Sequence, residues 1–214
     1  MIITAVSRSN GGNEVILKGS EYKQYVVLTI ADAKRLGFDK LEDEDFPVEY
    51  DDDETLEFLY SKLKAIRYCS YLLSFSDKSE KTLRQKLREK EYVPQVIDEA
   101  LTVLRENGII SDEVLCRRKY RAIAAEKLYG PYRIKSELMS KGFSSLDIEN
   151  ASQECDIDFD SLLDELIEKL LRSGRIELSD TATLVKFKAK LSRYGYSFEQ
   201  INSRIKAYSE NIDE

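Results

Sequence analysis

A segment of about twelve residues occurs three times in the chain, and this repeat most restricts how the chain can fold. The copies are "KTLRQKLREKEY" at 81–92, "YRIKSELMSKGF" at 132–143 and "VKFKAKLSRYGY" at 185–196. Each has an apolar pair four residues apart, then basic and polar residues, then an aromatic residue. Self-similarity at a near-constant period is the signature of repeat proteins, in which each copy needs its neighbours to bury its apolar face.

Each copy predicts a short helix with one apolar stripe. The stripes consist of Leu83 and Leu87, Ile134 and Leu138, and Phe187 and Leu191. Because a helix of about ten residues is marginal alone, each stripe needs partner helices. We therefore expect three-helix units of about fifty residues, with the repeated segment as the first helix of each unit.

The turn after each copy is a second constraint. Gly142 and Gly195 follow the second and third copies, and glycine lets the chain reverse in the left-handed region. Glu91 stands at this position in the first copy, so that turn must be built differently or under strain. Three aromatic residues come next and are expected to pack on the core of their units: Tyr92, Phe143 and Tyr196.

The first thirty residues have a different pattern. Residues 2–7, 14–18 and 24–30 are rich in Ile and Val, which predicts three strands of a small antiparallel sheet. Asn10-Gly11-Gly12 tolerates the positive φ that a hairpin turn requires. A short helix over "IADAKRLGF" and an exposed acidic connector containing Pro47 are expected next.

These patterns predict a mainly α fold of three tandem three-helix repeats in an elongated array, with a small N-terminal antiparallel β element. The expected divisions are 1–30 for the β element, 31–53 for the short helix and acidic connector, 54–110 for the first repeat with its preceding helix, 111–158 for the second repeat and 159–214 for the third. The 214 residues are enough to bury a core in several small units.

Several functional classes are disfavoured by what the chain lacks. It has no histidine, which removes the usual general base and the commonest zinc ligand. Cys69, Cys116 and Cys155 are far apart and are expected to be reduced thiols. Since no phosphate-binding glycine loop or nucleophile motif is present, we expect no enzyme activity, no catalytic residue, no cofactor and no metal site. No apolar run approaches the roughly 20 residues of a membrane span, and no signal peptide is recognisable, so we expect a cytoplasmic protein without membrane contact.

Charge is distributed unevenly within a formal net charge of −7. Residues 31–57 contain 12 acidic and 3 basic residues, whereas residues 78–141 contain 15 basic and 10 acidic residues. A basic middle can attract phosphate groups, but on charge alone a solvated helical surface is the simpler interpretation. Charge alone leaves both interpretations open.

An ordered set of motifs occupies roughly residues 60–155. It consists of a Ser-Glu opening, an aliphatic helix, a Gly-hydrophobic-hydrophobic-x-Asp turn and a Lys-x-x-Gly-x-x-x-Ile-x-x-Glu-Leu-x-x-Lys-Gly segment. The matching residues are Ser79, Glu80, Leu83, Leu87, Ile97, Leu101, Leu104, Gly108, Ile109, Ile110, Asp112, Lys127, Gly130, Ile134, Glu137, Leu138, Lys141 and Gly142. This set resembles the RecX regulatory protein family. Glu91 departs from the family pattern, as do Leu115-Cys116 and the weak second turn "SGRIELSD" at 173–180.

The resemblance implies a curved array of repeats that lies along the groove of a RecA recombinase filament on DNA. It implies a regulator, most simply an inhibitor, of RecA ATPase, strand exchange and SOS coprotease activity in DNA repair and homologous recombination. Contacts would be mostly between proteins, with a weak direct contact to single- or double-stranded DNA that salt weakens. The chain is expected to be a monomer.

Basic side chains in the middle of the chain are the candidate contact residues. The densest run is "CRRKYRAIAAEKLYGPYRIK", in which Arg117 and Arg121 share a helix face. The alternative for this run is solvation, with pairing to neighbouring acids such as Glu113 and Glu126. The candidate contacts to the partner or DNA are Arg84, Lys86, Lys90, Arg117, Arg118, Arg121, Lys127, Arg133, Lys135 and Lys141.

Two other functions stay open at this point. An autonomous nucleic-acid-binding helical protein would bind DNA by itself in a salt-dependent way, although the overall acidity argues against it. A helical-repeat scaffold for another protein partner would bind neither DNA nor the filament. Tyr129 and Tyr132, which flank Gly130-Pro131, could stack on bases, but packing between helices is the simpler role.

Overall fold

The protein is represented by a computed structural model, which describes residues 1–9, 11–21, 23–41, 45–174 and 180–210. The described chain is mainly helical and forms two compact units. The first unit comprises residues 1–78 and 82–110, and the second comprises residues 79–81 and the chain from residue 111 onward.

The N-terminal part of the first unit is an antiparallel sheet with the strand order β3-β2-β1-β4. The strands are β1 (Ile2–Arg8), β2 (Glu14–Gly19), β3 (Tyr25–Thr29) and β4 (Val48–Glu49). Alternating residues point inward along each strand, so one face of the sheet is apolar and buried. Its buried residues are Ile3, Val15, Leu17 and Leu28. In the predicted hairpin turn Gly11 and Gly12 have positive φ, and Asn10 lies outside the described residues.

The acidic connector is more structured than its charge density indicated. Helix α1 (Ile30–Arg35) leads into a 3₁₀ turn (Phe38–Lys40), and β4 pairs with β1. Phe38 is buried, and Phe46 and Tyr50 are partly buried against the core of the sheet. The described acidic residues of the connector are exposed, as expected, while Phe46 and Tyr50 anchor it to the core of the sheet; residues 42–44 lie outside the described residues.

A buried ion pair links α1 to the long helix α2 (Asp53–Phe75). The Lys62 ammonium lies 3.3 Å from the Asp32 carboxylate, and both side chains are about one-tenth exposed. The Thr29 hydroxyl donates to the same carboxylate at 2.8 Å. Removing one partner of such a pair would leave an uncompensated buried charge, so the pair ties the sheet to the helices.

Helices α2, α3 (Glu80–Glu89) and α4 (Pro94–Glu106) share one apolar core. Helix α2 supplies Ala65 and Cys69, α3 supplies the predicted stripe, and α4 supplies most of the rest. The repeated segment is therefore the middle helix of its three-helix core. This corrects the expectation that it is the first helix, since a stripe on a short helix does not indicate which neighbouring helices cover it.

Two further three-helix cores occupy the second unit. The first is built by α5 (Asp112–Lys127), α6 (Pro131–Ser140) and α7 (Ser145–Glu154), and the second by α8 (Phe159–Gly174), α9 (Thr181–Arg193) and α10 (Phe198–Glu210). Phe143 and Tyr196 are buried in these cores and Tyr92 is half-buried in the first unit, as expected. Residues 175–179, in the weak second turn, lie outside the described residues. The mainly α fold of three three-helix repeats with a small N-terminal antiparallel sheet is confirmed.

Polar residues cap the start of several helices. Ser144 and Asp147 form a reciprocal capping box at the start of α7, and the Asp52 carboxylate accepts from the Thr55 N–H at 3.0 Å at the start of α2. These side chains satisfy N–H groups that have no partner within the helix. Each such cap stabilises its helix by about 1 kcal/mol.

The turn after each middle helix uses the left-handed region in all three repeats. Gly142 and Gly195 have φ of 93° and 96°, and Glu91 has φ of 62°. The backbone N–H of Tyr92 bonds back to Leu87 at 3.2 Å, so the turn after α3 closes although no glycine is present. The first repeat therefore pays for this turn with backbone strain.

We predict that Glu91→Gly stabilises the protein by about 1 kcal/mol, because glycine adopts a positive φ without a steric penalty. Urea unfolding followed by circular dichroism would measure the change. Gly142→Ala is the matched control, and it should destabilise by a similar amount. An unfolding midpoint for Glu91→Gly at or below that of the wild type would contradict the prediction.

Candidate partner-binding surface

The ten basic side chains predicted to contact a partner are divided between the two units. Arg84, Lys86 and Lys90 lie in the first unit, and the other seven lie in the second. Most of them contact an acidic residue or an aromatic ring of their own unit. These contacts determine how much of each charge is available to a partner.

Arg117 and Arg121 share one face of α5, as predicted, and this face meets the end of α7. The Arg117 guanidinium forms an ion pair with the Glu154 carboxylate, and Arg121 donates to the Glu154 carbonyl oxygen at 3.4 Å. Cations are favoured at a helix C-terminus by the helix dipole. The hydrogen bond from Arg117 to Glu154 raises the pKa of Arg117. The acid that pairs with Arg117 is therefore Glu154, which lies on another helix, and not one of the neighbouring acids in the sequence that the alternative interpretation named.

Of the remaining residues of α5, some are buried in the core of the repeat and others are exposed to solvent. Tyr120, Ile123 and Ala124 are buried in the core of this repeat. Arg118 is exposed. The helix therefore holds its basic residues on the outside, and two of them are also used to fix α7.

Lys127, Glu137 and Lys141 form one ionic cluster. The Glu137 carboxylate accepts from Lys127 at 2.7 and 3.0 Å and lies 3.3 Å from the Lys141 ammonium. Burial raises the pKa of Glu137, but the hydrogen bonds from the two lysines outweigh it, so its pKa lies below the usual value. The cluster joins the end of α5 to α6, so these lysines have a structural role within the unit.

Tyr129 is surrounded by cations and by another ring. Its centre lies 5.4 Å from the Lys127 ammonium and 5.4 Å from the Arg133 guanidinium, and the Tyr194 ring stands edge-on at 5.8 Å. These contacts are typical of packing. Tyr132 is different, since it is 68% exposed and lies near the exposed Lys135 at the edge of a small cleft.

The three basic residues of the first unit are also engaged. Arg84 forms an ion pair with Asp98, and the Lys86 ammonium lies 2.7 Å from the Glu89 carboxylate. The Lys90 ammonium lies 5.7 Å from the centre of the Tyr68 ring. Exposed pairs of this kind contribute little to stability, so a partner could displace them at low cost.

A close backbone contact joins the α5–α6 loop to the α9–α10 turn within the second unit. The Gly130 N–H donates to the Tyr194 carbonyl at 2.9 Å, and the Tyr132 N–H donates to the Gly195 carbonyl at 3.2 Å. A Cβ atom on Gly130 would lie 2.4 Å from the Gly195 carbonyl oxygen, and one on Gly195 would lie 2.4 Å from the Arg133 nitrogen. Neither glycine can carry a side chain unless the backbone moves.

A second contact in this unit repeats the arrangement. The Ser79 hydroxyl donates to the Lys141 carbonyl at 2.8 Å, and the Glu80 N–H donates to the Asp112 carboxylate at 2.8 Å. Residues 79–81 belong to this unit, and Ser79 is buried. Within this unit, residues 79–81 therefore contact the end of α6 and the start of α5, and the start of α6 contacts the end of α9.

Helix α2 carries an aromatic and basic face that was not predicted from the sequence. Tyr60, Lys64, Tyr71 and Phe75 share this face. Tyr71 and Phe75 are 59% and 70% exposed with their rings 4.9 Å apart, and the Lys64 ammonium lies 4.4 Å from the centre of the Tyr60 ring. Tyr60 and Lys64 are four residues apart, as are Tyr71 and Phe75, and this spacing could have indicated the face from the sequence. Exposed aromatic residues are enriched where proteins bind partners.

The three cysteines are free and buried, and the thiols of Cys69 and Cys116 are held protonated. Burial raises the pKa of Cys69 to about 11 and that of Cys116 to about 12, so these thiols are poor nucleophiles at neutral pH. Among the described residues, no group of three or more His, Cys, Asp or Glu is placed to hold a metal ion. No described helix is long and apolar enough to cross a membrane.

Comparison with known proteins identifies the family. A family model described as RecX, first three-helix domain, matches residues 62–104. The regulatory protein RecX of Actinobacillus pleuropneumoniae serotype 5b is 37% identical over 105 residues, which cover 49% of this chain and 69% of the relative. That of Pseudomonas savastanoi pv. phaseolicola is 32% identical over 131 residues, which cover 61% of this chain and 82% of the relative. The chain belongs to the RecX family.

Solved RecX structures share the fold. A crystal structure of regulatory protein RecX matches with a TM-score of 0.74 and 19% identity over 94% of this chain and 98% of that chain. RecX from Lactobacillus salivarius matches with a TM-score of 0.62 and 23% identity over 69% of this chain and 96% of that chain. Because RecX relatives are regulatory proteins by name, a regulatory role follows for this member of the RecX family.

We predict that Gly130→Ala destabilises the protein by about 1–3 kcal/mol, because the added methyl group must displace backbone atoms of the α9–α10 turn. Thermal and urea unfolding would measure the loss. Gly108→Ala is the control, since Gly108 has a positive φ but no atom near its Cβ position. If Gly130→Ala costs less than Gly108→Ala, the close contact does not limit the fold.

We predict that Glu137→Gln lowers the free energy of unfolding at pH 7 by about 1 kcal/mol, because the two lysines lose their carboxylate. The folded-state pKa of Glu137 is depressed, so its contribution is present above the unfolded pKa of about 4.3 and is lost as the pH falls through the folded pKa. The gap between wild type and variant should therefore shrink below about pH 4.5 in urea titrations. Glu149→Gln, which removes an exposed acid of α7, should show no gap. A gap that stays constant with pH would exclude the ionised carboxylate as its source.

Proposed function

We propose that this protein binds RecA recombinase filaments on DNA and restrains their ATPase, strand-exchange and SOS coprotease activities. The observation that carries the proposal is membership of the RecX family, whose relatives are named regulatory proteins. Exposed aromatic and basic side chains in the described chain suit a partner made of protein and nucleic acid. In this proposal the chain acts by binding, and the chemistry belongs to RecA.

Four of the ten candidate side chains are the best contacts to such a filament. Within the described chain, no carboxylate pairs with them, so their charge can be directed to phosphate or to acidic groups of a partner at little cost. They are Lys90, Arg121, Arg133 and Lys135. Arg84, Lys86, Arg117, Lys127 and Lys141 form ion pairs within their own units and are weaker candidates.

The proposal predicts that substoichiometric amounts of this protein reduce the single-stranded-DNA-dependent ATPase of the cognate RecA. The physical reason is that one regulator bound to a filament affects more than one RecA subunit. ATP hydrolysis is measured with RecA preassembled on poly(dT), and binding is measured by cosedimentation. An unchanged rate together with no binding to filaments would refute the proposal.

The contact residues have their own test. Arg121→Glu combined with Lys135→Glu should weaken filament binding by about tenfold, because it replaces two attractive charges with repulsive ones. The control is Lys169→Glu on α8, which reverses an exposed charge outside the proposed contact set. Strong DNA binding by the protein without RecA would instead favour the autonomous nucleic-acid-binding function.

A further inference from the structure

A cleft in the first unit lies between the first turns of α2 and the turn that joins α3 to α4. Its volume is about 650 Å³, within the range of roughly 300–1,000 Å³ typical of ligand sites. Phe58, Tyr92 and Val93 give it an apolar lining, and Val93 is 54% exposed. The cleft therefore offers apolar surface that can be covered by a side chain of a partner.

Among the described residues, four carboxylates line the same cleft and no lysine or arginine does. They are Asp52, Glu54, Glu57 and Glu91, and all are exposed. Hydrogen bonds from Thr55 lower the pKa of Asp52, which keeps it charged. Within the described chain, the other three acids make no ion pair. The cleft is therefore strongly negative with an apolar lining.

The backbone at Glu91 is strained, although the fold does not require a side chain at this position. Glu91 has φ of 62°, in the turn where the other two repeats have glycine. A side chain in this region is strained, and glycine would remove the strain. The first repeat alone keeps an acid here, and this acid lines the cleft. Strain of this kind is more often found at functional positions than elsewhere.

We infer that this cleft binds a basic segment of a protein partner, with an apolar side chain against Phe58 and Val93 and Lys or Arg groups against the carboxylates. The inference rests on the proposed function, since the segment belongs to the recombinase filament. The charge selects this occupant, because DNA phosphates and acidic peptides would be repelled. A small cation would neutralise the acids but would leave the apolar lining uncovered.

The spacing of the acids also favours a chain segment with several cations. Glu54 and Glu57 lie about one helical turn apart on α2, or about 4.5 Å along the helix axis, and Glu91 faces the cleft from the α3–α4 turn. Cations on one segment can reach both sides of the cleft, with the apolar group between them.

The experiment measures binding to RecA filaments on poly(dT) with a non-hydrolysable ATP analogue, by cosedimentation over a series of salt concentrations. Glu57→Lys combined with Glu91→Lys should weaken binding by about tenfold and reduce its salt dependence. Glu91→Lys keeps a side chain at the strained position, so the backbone cost is matched. Glu91→Gly should weaken binding by about threefold while raising the unfolding midpoint, a combination that misfolding cannot produce.

The controls are Glu99→Lys and Glu106→Lys, which reverse exposed acids of α4 outside the cleft. If they weaken binding as much as the cleft variants, overall acidity is responsible and the inference fails. If the wild type binds filaments and the cleft variants bind equally well, the inference fails while the proposed function stands. If the wild type does not bind filaments, the proposed function fails, and the inference that rests on it fails as well. A second copy of this chain is the other possible occupant, and light scattering tests for it. If the wild type is a dimer and the Glu57→Lys, Glu91→Lys variant is a monomer, the cleft binds a second copy of this chain and the inference fails.

Discussion

The close approach of two backbone segments at Gly130 and Gly195 constrains much of the second unit. Their hydrogen bonds bring the start of α6 against the end of α9, at a separation that leaves no space for a Cβ atom. The contact between Ser79 and Lys141 repeats this relation one repeat earlier, with a small hydroxyl side chain in place of glycine. Ser79 precedes Gly130 by the same interval that separates the first two copies of the repeated segment, so the two contacts involve equivalent positions of neighbouring repeats in the sequence.

Hydrogen bonds and ion pairs explain why several residues of the RecX pattern are needed for the fold. Asp112 accepts a hydrogen bond from the first N–H of α3, so the Gly-hydrophobic-hydrophobic-x-Asp turn caps a helix that lies earlier in the sequence. Glu137 holds Lys127 and Lys141 together, so three charged positions of the last segment form a single cluster. Several positions that look like separate motifs in the sequence therefore contact one another within the second unit.

Local signals predicted the helices and strands well, whereas contacts between distant residues were not predictable. Apolar stripes, caps and glycine turns act over fewer than five residues, so the sequence indicated all nine helices that follow the acidic connector, within the described part of the chain. The order of helices within a core depends on packing, and for that reason the repeated helix was expected to be first although it is the middle one. The buried pair of Lys62 and Asp32 lies thirty residues apart in sequence, and no local pattern indicates it.

The candidate surface shows the same limit. The basic run over α5 and α6 predicted a positive patch, but Glu154, 37 residues after Arg117, neutralises part of it. A charge run read from sequence counts every lysine and arginine as available, since its partners in space are unknown. Among the candidate contacts, Arg121, Arg133 and Lys135 have no described acidic partner, whereas Lys127 and Lys141 pair with Glu137 and serve the fold.

In a repeat protein, equivalent positions of the repeats can be compared with one another, because each repeat adopts the same local structure. The turn after the middle helix requires a positive φ in every repeat, and glycine meets this requirement twice. If stability alone determined the residue, glycine would be expected in the first repeat as well. The strain of about 1 kcal/mol is a sizeable part of the 5–15 kcal/mol that stabilises a typical domain. Glu91 is therefore better explained by the role that we propose for its carboxylate in the cleft than by the turn itself. Within one sequence, the position that departs from its own repeats at a cost to stability is the one to examine for function.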